Sequence, residues 1–253
     1  MLVLKTKNWQ LDNIETVIFD KDGTFIDLHY FWGKMTELRV KEIIRRYGLD
    51  EKILSDLCLK LGYDIAAGKM LSDGITAMYS RAVIIEIFCK DLNELGLNIN
   101  QKDLEKIFDE VNKIFYCEMV NYTKPIASAI LFIEKLRKLG AKIGIVTSDS
   151  KESTILTLKH FEWEELFDVV IGRESTVETK ESGVPVKLAL EKLGADAKTA
   201  IMVGDTPMDY QAAKNGGIEN TILVATGQVD KEALLMFSPY SVVSLADVEI
   251  ICI

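Results

Sequence analysis

The stretch that most constrains the fold is a short apolar run that ends in two acids and a glycine, Thr16-Val17-Ile18-Phe19-Asp20-Lys21-Asp22-Gly23-Thr24. Its apolar residues are typical of a β-strand buried on both faces. Such strands form parallel sheets, whose carboxyl edge is where ligands bind. Two carboxylates so close together repel each other unless a cation or a proton lies between them, and Gly23 lets the chain curl around that point. Asp20 and Asp22 are therefore candidates for chemistry, although a turn with solvated acids would also fit this run alone.

The composition narrows the classes of function. The chain has 253 residues, of which 48% are hydrophobic, and it carries a net charge of −9. The acidic balance argues against nucleic acid and anionic membrane as partners. Met1 to Gln10 lacks the apolar core of a signal peptide, and no run reaches membrane-spanning length, so we expect a cytoplasmic protein. The cysteines are scattered, as expected of small buried residues in a reduced protein: Cys58, Cys89, Cys117 and Cys252.

Helical periodicity runs from about residue 30 to residue 122. Gly48 and Gly62 are placed to end helices, and Asn100 is placed to cap one. The polar stretch Asp64 to Asp73 separates the first helices from a longer one that starts at Ile75. We therefore predict an all-helical domain at residues 29–123, inserted into a second domain formed by residues 1–28 and 124–253.

From Thr123 onward helices and strands alternate, which indicates a parallel sheet built from βαβ units. The predicted helices cover residues 126–139, 152–161, 184–193 and 207–216. The predicted strands cover residues 142–146, 168–171, 200–203, 221–224 and 240–243. The fold class is accordingly α/β, with a parallel-sheet core, helices on both faces and the helical insertion.

Polar side chains follow the predicted strands and should meet at one edge of the sheet. They are Asp20, Asp22, Thr147, Lys180, Asp205 and Asp209. Phosphoryl transfer needs a nucleophile in line with the leaving group, a divalent cation, donors for the phosphoryl oxygens and an acid for the leaving oxygen. Mg²⁺ prefers oxygen ligands from a few carboxylates, phosphate and water. The set therefore indicates Mg²⁺-assisted phosphoryl transfer.

The chain resembles the haloacid dehalogenase-like superfamily of phosphohydrolases in four ordered motifs. The first is Asp20-Lys21-Asp22-Gly23-Thr24, the second is Thr147, and the fourth is Gly204-Asp205-Thr206-Pro207-Met208-Asp209. The third motif departs most, because Lys180 is followed by Glu181 where the family often has proline; Lys187 is the alternative. The resemblance implies a Rossmann-like core, and it makes the helical insertion the cap domain of that superfamily.

The resemblance also implies a role for each matching residue. Asp20 is expected to be the nucleophile and a Mg²⁺ ligand, and Asp22 the acid and base that also binds the metal through its carbonyl. Asp205 is expected to bind Mg²⁺. The phosphate-binding residues would be Thr147, Ser148 and Lys180, and the supporting residues would be Gly23, Thr24, Gly204 and Asp209. Simpler interpretations remain: Thr147, Thr206 and Asp209 as helix caps, and Lys180 as a surface lysine.

Within the superfamily the run Phe19 to Thr24, followed by Trp32, is similar to phosphoglycolate phosphatase-like members, as is the stretch Gly68 to Asp73. The resemblance implies a Mg²⁺-dependent phosphatase, monomeric or homodimeric, whose substrate is a small phosphorylated metabolite such as a phosphoglycolate-like compound or a sugar phosphate. Because the motif residues recognise only the phosphoryl group and the metal, we expect other side chains to determine which leaving group is accepted. The candidates are Lys69, Ser72, Arg81 and Arg173.

Four other functions stay open at this point. A β-phosphoglucomutase-like mutase would use the same motifs, and a non-catalytic protein could keep the pocket to bind a phosphate ligand. A dehalogenase needs no Mg²⁺, which would leave the acids after the strands without a purpose. A phosphonatase would need a lysine that forms a Schiff base, for which Lys34 is available.

Overall fold

The computed structural model describes residues 1–252. Its chain divides into two compact units, which we call the core unit, Met1–Asp27 with Pro125–Ile253, and the inserted unit, Leu28–Lys124. Among the described residues, no helix is both long enough and apolar enough to cross a membrane. That the inserted unit acts as a cap domain stays a proposal.

The strands, in chain order, are β1 (Leu2–Lys5), β2 (Gln10–Ile14), β3 (Thr16–Phe19), β4 (Tyr63–Asp64), β5 (Lys69–Met70), β6 (Lys142–Val146), β7 (Val169–Ile171), β8 (Ala200–Gly204), β9 (Asn220–Leu223) and β10 (Glu249–Cys252). The α-helices are α1 (Leu28–Tyr47), α2 (Leu54–Lys60), α3 (Ile75–Met78), α4 (Arg81–Glu94), α5 (Gln101–Cys117), α6 (Ala127–Lys138), α7 (Lys151–His160), α8 (Val184–Leu193), α9 (Pro207–Gly216) and α10 (Lys231–Leu234).

The core unit contains a five-stranded parallel sheet in the order β7-β6-β3-β8-β9. β3 lies in the middle, and its last residue, Phe19, is in register with Ile145 of β6 and Val203 of β8. Because all the strands run in the same direction, the residues that follow β3, β6 and β8 emerge at one edge. The predicted α/β fold with a parallel sheet is confirmed.

Alternate side chains of β3 point to opposite faces of the sheet, as a strand requires. Val17 and Phe19 pack in a cluster with residues of α6, whereas Ile18 packs with residues of α8 and α9. All three are fully buried. Helices therefore cover both faces, as predicted for a Rossmann-like core, and this double burial explains why β3 is a continuous apolar run.

A second, antiparallel sheet of the core unit, in the order β10-β1-β2, was not predicted. It pairs the two ends of the chain, since Leu4 is in register with Ile250. β2 does not alternate regularly between apolar and polar residues, and its partner strand β1 lies next to a strand from the far end of the sequence. Local periodicity could not reveal such a pairing.

The strand predicted at residues 240–243 is wrong. Val242 makes only an isolated bridge with Val224. Pro239 cannot donate a ladder hydrogen bond, and Ser238 ties the flanking chain into a turn, because its Oγ donates to the carbonyl of Thr221 at 2.6 Å and accepts from the N–H of Tyr240 at 3.2 Å.

The inserted unit is mainly helical, but it is not all-helical as predicted. The polar stretch contains a small hairpin, in which Tyr63 of β4 is in register with Met70 of β5. The predicted helix from Ile75 is interrupted, since Tyr79 and Ser80 are extended and separate α3 from α4. The predicted cap at Asn100 is confirmed, because its side chain accepts from the N–H of Asp103 at 2.9 Å.

Candidate active site

Asp20 is the first residue after β3, and the sheet itself fixes its position. Its N–H donates to the carbonyl of Val203 at 2.8 Å, which continues the pairing with β8. The chain then turns at Gly23, whose φ of +86° is strained for residues with a side chain. Thr226 Oγ1 donates to the carbonyl of Gly23 at 2.6 Å, and Thr24 is fully buried in this turn. The turn leaves Asp20 buried at the edge of the sheet.

The strands on either side of β3 deliver the next polar residues. Thr147 follows β6 and Asp205 follows β8, and both are buried. The Oγ1 atom of Thr147 accepts from the N–H of Asp149 at 3.1 Å. Ser148, the next residue, is exposed. The predicted convergence of residues at one edge of the sheet therefore holds for Asp20, Thr147 and Asp205.

Lys180 is buried and its ammonium group lies between two carboxylates. Its Nζ contacts Oδ1 of Asp20 and lies 2.6 Å from Oδ1 of Asp209. Burial by itself lowers the pKa of Lys180, but the two carboxylates outweigh this effect and raise the pKa above its ordinary value. Lys187, the alternative, is exposed on α8. The structure therefore brings Lys180, rather than Lys187, to Asp20.

Asp209 lies in the first turn of α9 and is held by its neighbours. Its Oδ2 accepts from the N–H of Asp205 at 3.1 Å, from the N–H of Thr206 at 3.0 Å and from Thr206 Oγ1 at 2.8 Å. A side chain at Gly204 would collide with it, because a Cβ there would lie 2.2 Å from Asp209 Cγ. Asp209 is thus both a helix cap and the second carboxylate that faces Lys180.

The acids at this edge form a group suited to a metal ion. Asp20, Asp205 and Asp209 each offer a carboxylate oxygen, and these atoms lie within 4.8 Å of one another. Oδ1 of Asp205 is buried and has no hydrogen-bond partner among the described residues. A buried polar atom without a partner is costly, and a hard divalent cation would satisfy it. The residues present therefore fit Mg²⁺.

Burial shifts the pKa values of these acids. It raises the pKa of Asp205 well above its ordinary value, and the charges of Asp209 and Asp20 add to the effect. Burial likewise raises the pKa of Asp20 to about 7; Lys180 opposes this change, whereas Asp209 adds to it. In the absence of a metal, one ammonium group does not compensate for the confinement of several carboxylates.

Asp22 has a different environment from Asp20. Its Oδ1 lies 2.6 Å from Nζ of Lys21, which also lies 3.2 Å from Oδ2 of Asp149. Burial raises the pKa of Asp22, and the nearby Lys21 opposes the shift. Burial also lowers the pKa of Lys21, but the carboxylates of Asp22 and Asp149 outweigh it and raise that pKa. Each of the two acids in the first motif thus has its own buried lysine.

Comparison with known proteins agrees with this geometry. A family model described as haloacid dehalogenase-like hydrolase matches residues 70–224. A "Putative pyrophosphatase PpaX" from Caldanaerobacter subterraneus subsp. tengcongensis is 30% identical over 82% of this chain and 80% of its own. A phosphoglycolate phosphatase from Aquifex aeolicus is 25% identical over 83% of this chain and 84% of its own.

The chain belongs to the haloacid dehalogenase-like hydrolases. The prediction of a phosphatase of this family is confirmed. The crystal structure of a putative beta-phosphoglucomutase from Thermotoga maritima is similar to this chain, with a TM-score of 0.66 and 20% identity, and the alignment covers 92% of this chain and 96% of that one. At this identity the likeness shows the fold alone, so it does not distinguish a phosphatase from a mutase.

A cavity in the core unit of this haloacid dehalogenase-like chain adjoins Lys180. Its volume is about 310 Å³, and its lining includes Thr147, Ser148, Arg173, Lys180 and Met208.

 The structure thus groups Ser148 and Arg173, both exposed, with Thr147 and Lys180.

The other specificity candidates lie in the inserted unit. Lys69 is exposed on β5, and Ser72 is exposed in the segment that follows it. Arg81 forms an exposed ion pair with Asp109 at 2.5 Å. Their role in choosing the leaving group stays a prediction.

Sequence reasoning missed three residues that shape this site. Lys21 lies within the first motif, but a lysine between two acids is ordinarily a solvated residue, and Asp149 lies two residues after Thr147. Gly227 was missed altogether; a Cβ at this position would lie 1.7 Å from Oδ2 of Asp205. Only the alternation of charge in Asp20-Lys21-Asp22 could have pointed to Lys21, and nothing local points to Gly227.

The raised pKa of Asp20 predicts that the metal-free protein loses stability as the pH rises. The folded state holds the proton up to about pH 7, whereas the ordinary pKa of aspartate is 3.8. The stabilisation is therefore complete below the lower value and is lost as the pH rises through the higher one, by on the order of a few kcal/mol. Urea denaturation in chelator between about pH 5 and pH 8 measures this slope. Asp20→Asn should make the slope shallower without abolishing it, because the raised pKa values of Asp205 and Asp22 remain, and an unchanged slope in that variant would contradict the assignment.

The close approach of Gly227 to Asp205 predicts that Gly227→Ala weakens Mg²⁺ binding. The added methyl group would displace the carboxylate, and such changes around a metal ligand typically cost about 10-fold to 100-fold in affinity. The measurement is the Mg²⁺ dependence of the thermal unfolding temperature. Gly144→Ala is the control, because its Cβ would crowd Val169 at 3.0 Å rather than a carboxylate. Equal Mg²⁺ affinity in both variants would refute the prediction.

Proposed function

We propose that this chain is a Mg²⁺-dependent phosphatase that hydrolyses a small phosphorylated metabolite through an aspartyl-phosphate intermediate. The observation that carries the proposal is the contact of the buried Lys180 with Asp20, beside the unpartnered Oδ1 of Asp205. A nucleophile, a fixed positive charge and a carboxylate oxygen that can bind a metal ion are what an in-line transfer to a carboxylate requires.

In the first step of the proposed reaction, a carboxylate oxygen of Asp20 forms a bond to phosphorus. The bond between phosphorus and the leaving oxygen breaks, and its electron pair stays on that oxygen. Asp22, whose pKa is raised by burial, is suited to hold a proton and donate it to the leaving oxygen. The products of this step are the free alcohol and a phosphorylated Asp20.

In the second step Asp22, now a carboxylate, takes a proton from water. The water oxygen bonds to phosphorus while the bond from phosphorus to Asp20 breaks, which releases inorganic phosphate and restores Asp20. The same group thus serves first as acid and then as base. Splitting one difficult displacement into two easier ones is the advantage of a covalent intermediate.

The other residues bind and orient the phosphoryl group. Lys180 would stabilise the charge on its oxygens, and Thr147 and Ser148 would donate hydrogen bonds to them. The residues that would hold Mg²⁺ are Asp20, Asp22 through its carbonyl, and Asp205, with Asp209 in support. Bound Mg²⁺ would supply charge that neutralises the phosphoryl oxygens.

The substrate class is a phosphoglycolate-like compound or a sugar phosphate. The relatives described above are named as a pyrophosphatase and a phosphoglycolate phosphatase, which supports small phosphorylated molecules. Phosphate release from a panel containing 2-phosphoglycolate, pyrophosphate, sugar phosphates and nucleotides would identify the preferred compound.

Two observations bear on the alternatives. The hydrogen bond to Glu37 raises the pKa of Lys34, which is opposite to the change that a Schiff-base lysine needs, so a phosphonatase is disfavoured. A protein that only binds phosphate does not need two neighbouring carboxyl groups that each contact a different buried lysine. A mutase is distinguished by its product, since incubation with a sugar phosphate would yield an isomer rather than inorganic phosphate.

Asp20→Asn tests the proposed nucleophile. An amide is a poor nucleophile, so turnover of p-nitrophenyl phosphate should fall more than about 1,000-fold, while the fold persists because a buried charge is removed. The wild-type protein should need Mg²⁺ and should lose activity in excess chelator. Phosphate release and circular dichroism are the measurements. Substantial Mg²⁺-dependent activity in the variant would exclude Asp20 as the nucleophile.

Lys69→Ala tests whether the inserted unit selects the leaving group. An exposed lysine could complement a negative charge carried by the organic part of the substrate, such as the carboxylate of 2-phosphoglycolate, whereas the nitrophenyl group of p-nitrophenyl phosphate carries no net charge. We expect kcat/KM to fall by about 10-fold for the best substrate of the panel and to change little for p-nitrophenyl phosphate. Lys52→Ala, another exposed lysine of the same unit, is the control. Equal losses on both substrates would remove Lys69 from substrate selection.

A further inference from the structure

We propose that Lys21 is a positioning residue for Asp22, which it holds in place for proton donation through a bridge to Asp149. This inference rests on the proposed function, because it assumes that Asp22 is the acid. It concerns a residue that the four motifs leave undefined, since Lys21 stands between the two acids of the first motif.

The contacts of Lys21 support the bridge. The side chain is only 2% exposed, and its Nζ lies 2.6 Å from Oδ1 of Asp22 and 3.2 Å from Oδ2 of Asp149. Its backbone is also fixed, because its carbonyl accepts from the N–H groups of Phe25 at 3.1 Å and Ile26 at 3.0 Å. The ammonium group is thus held between the two carboxylates.

Asp149, the far end of the bridge, is itself anchored. Its Oδ1 accepts from the N–H of Ser150 at 2.7 Å, and its Oδ2 accepts from Ser153 Oγ at 2.7 Å. Its N–H donates to Thr147 Oγ1 at 3.1 Å. Ser150 is the residue that caps α7. The bridge therefore connects Asp22 to the start of a helix and to Thr147, the residue that follows β6.

A purely structural role explains this arrangement less well. Burying an ammonium group is costly, and an apolar side chain of similar size commonly gives equal or better stability than a buried ion pair. A fixed orientation is what an ion pair adds. Asp22 is 20% exposed at its side chain, so without the bridge it could rotate toward water. Lys180 meanwhile contacts Asp20, so each lysine contacts one of the two acids of the first motif.

The dependence on the leaving group tests the inference. An alkoxide leaves poorly and needs a proton, whereas p-nitrophenolate leaves without one. Lys21→Met should therefore lower kcat for glycerol 2-phosphate by about 10-fold to 100-fold and lower kcat for p-nitrophenyl phosphate by less than about 3-fold. Lys21→Arg should restore part of the loss. Asp149→Asn, which keeps the size of the side chain, should reproduce the pattern of Lys21→Met.

A double variant separates action through Asp22 from a general effect. In the background of Asp22→Asn, Lys21→Met should cause no further loss on glycerol 2-phosphate, because the group that it positions is already inactive. Lys142→Met is the matched control. Lys142 begins β6 at the opposite edge of the sheet, and its Nζ donates to the carbonyls of Leu193 and Gly194 at 2.8 Å. This variant should not lower kcat for one of the two substrates more than for the other.

The possible failures are distinguishable. Equal losses on both substrates in a folded Lys21→Met protein, or additive losses in the double variant, would overturn the inference and leave the proposed function intact. If Lys21→Met does not fold, Asp149→Asn decides the question, and equal losses on both substrates in that variant would overturn the inference. Wild-type protein that releases no phosphate from either compound would overturn the proposed function, and the inference with it.

Discussion

The burial of several carboxylates around one ammonium group is the interaction on which this site depends. Asp20, Asp205 and Asp209 lie within reach of one another, and Lys180 contacts two of them. The remaining negative charge is expensive in a buried setting, as the raised pKa values of Asp20 and Asp205 indicate. The core must therefore supply enough apolar burial to keep them together, and the fully buried β3 and its neighbours on the sheet supply it.

The parallel sheet provides the geometry that makes this confinement possible. Strands that run in the same direction deliver their last residues to one edge, and the helices that follow begin at that edge as well. α7 begins after Ser150, and α9 begins after Thr206. Helix N-termini favour negative charge and anionic ligands. The same topology thus gathers the acids, partly stabilises them and prepares the edge for a phosphoryl group.

The residues that could be predicted are those fixed by local sequence. Asp20, Thr147 and Asp205 directly follow apolar strands, so their convergence follows from the parallel topology alone. The sequence favoured Lys180 but left Lys187 as the alternative, because only the fold decides whether a lysine of the loop before α8 or one on α8 itself reaches the site. The antiparallel sheet was missed for a similar reason: its strands pair residues from the two ends of the chain, and no local periodicity records that pairing.

The two lysines of the site also explain how neighbouring acids can be given different tasks. A nucleophile must be ionised when it attacks, and Lys180 favours the ionised form of Asp20, as a bound cation would. An acid must hold a proton and then release it, and burial favours the protonated form of Asp22, while Lys21 limits that preference. Because the surroundings of the two carboxyl groups differ, one short motif can supply both a nucleophile and an acid. The proposed separation of their roles would therefore originate in residues outside the pair of acids.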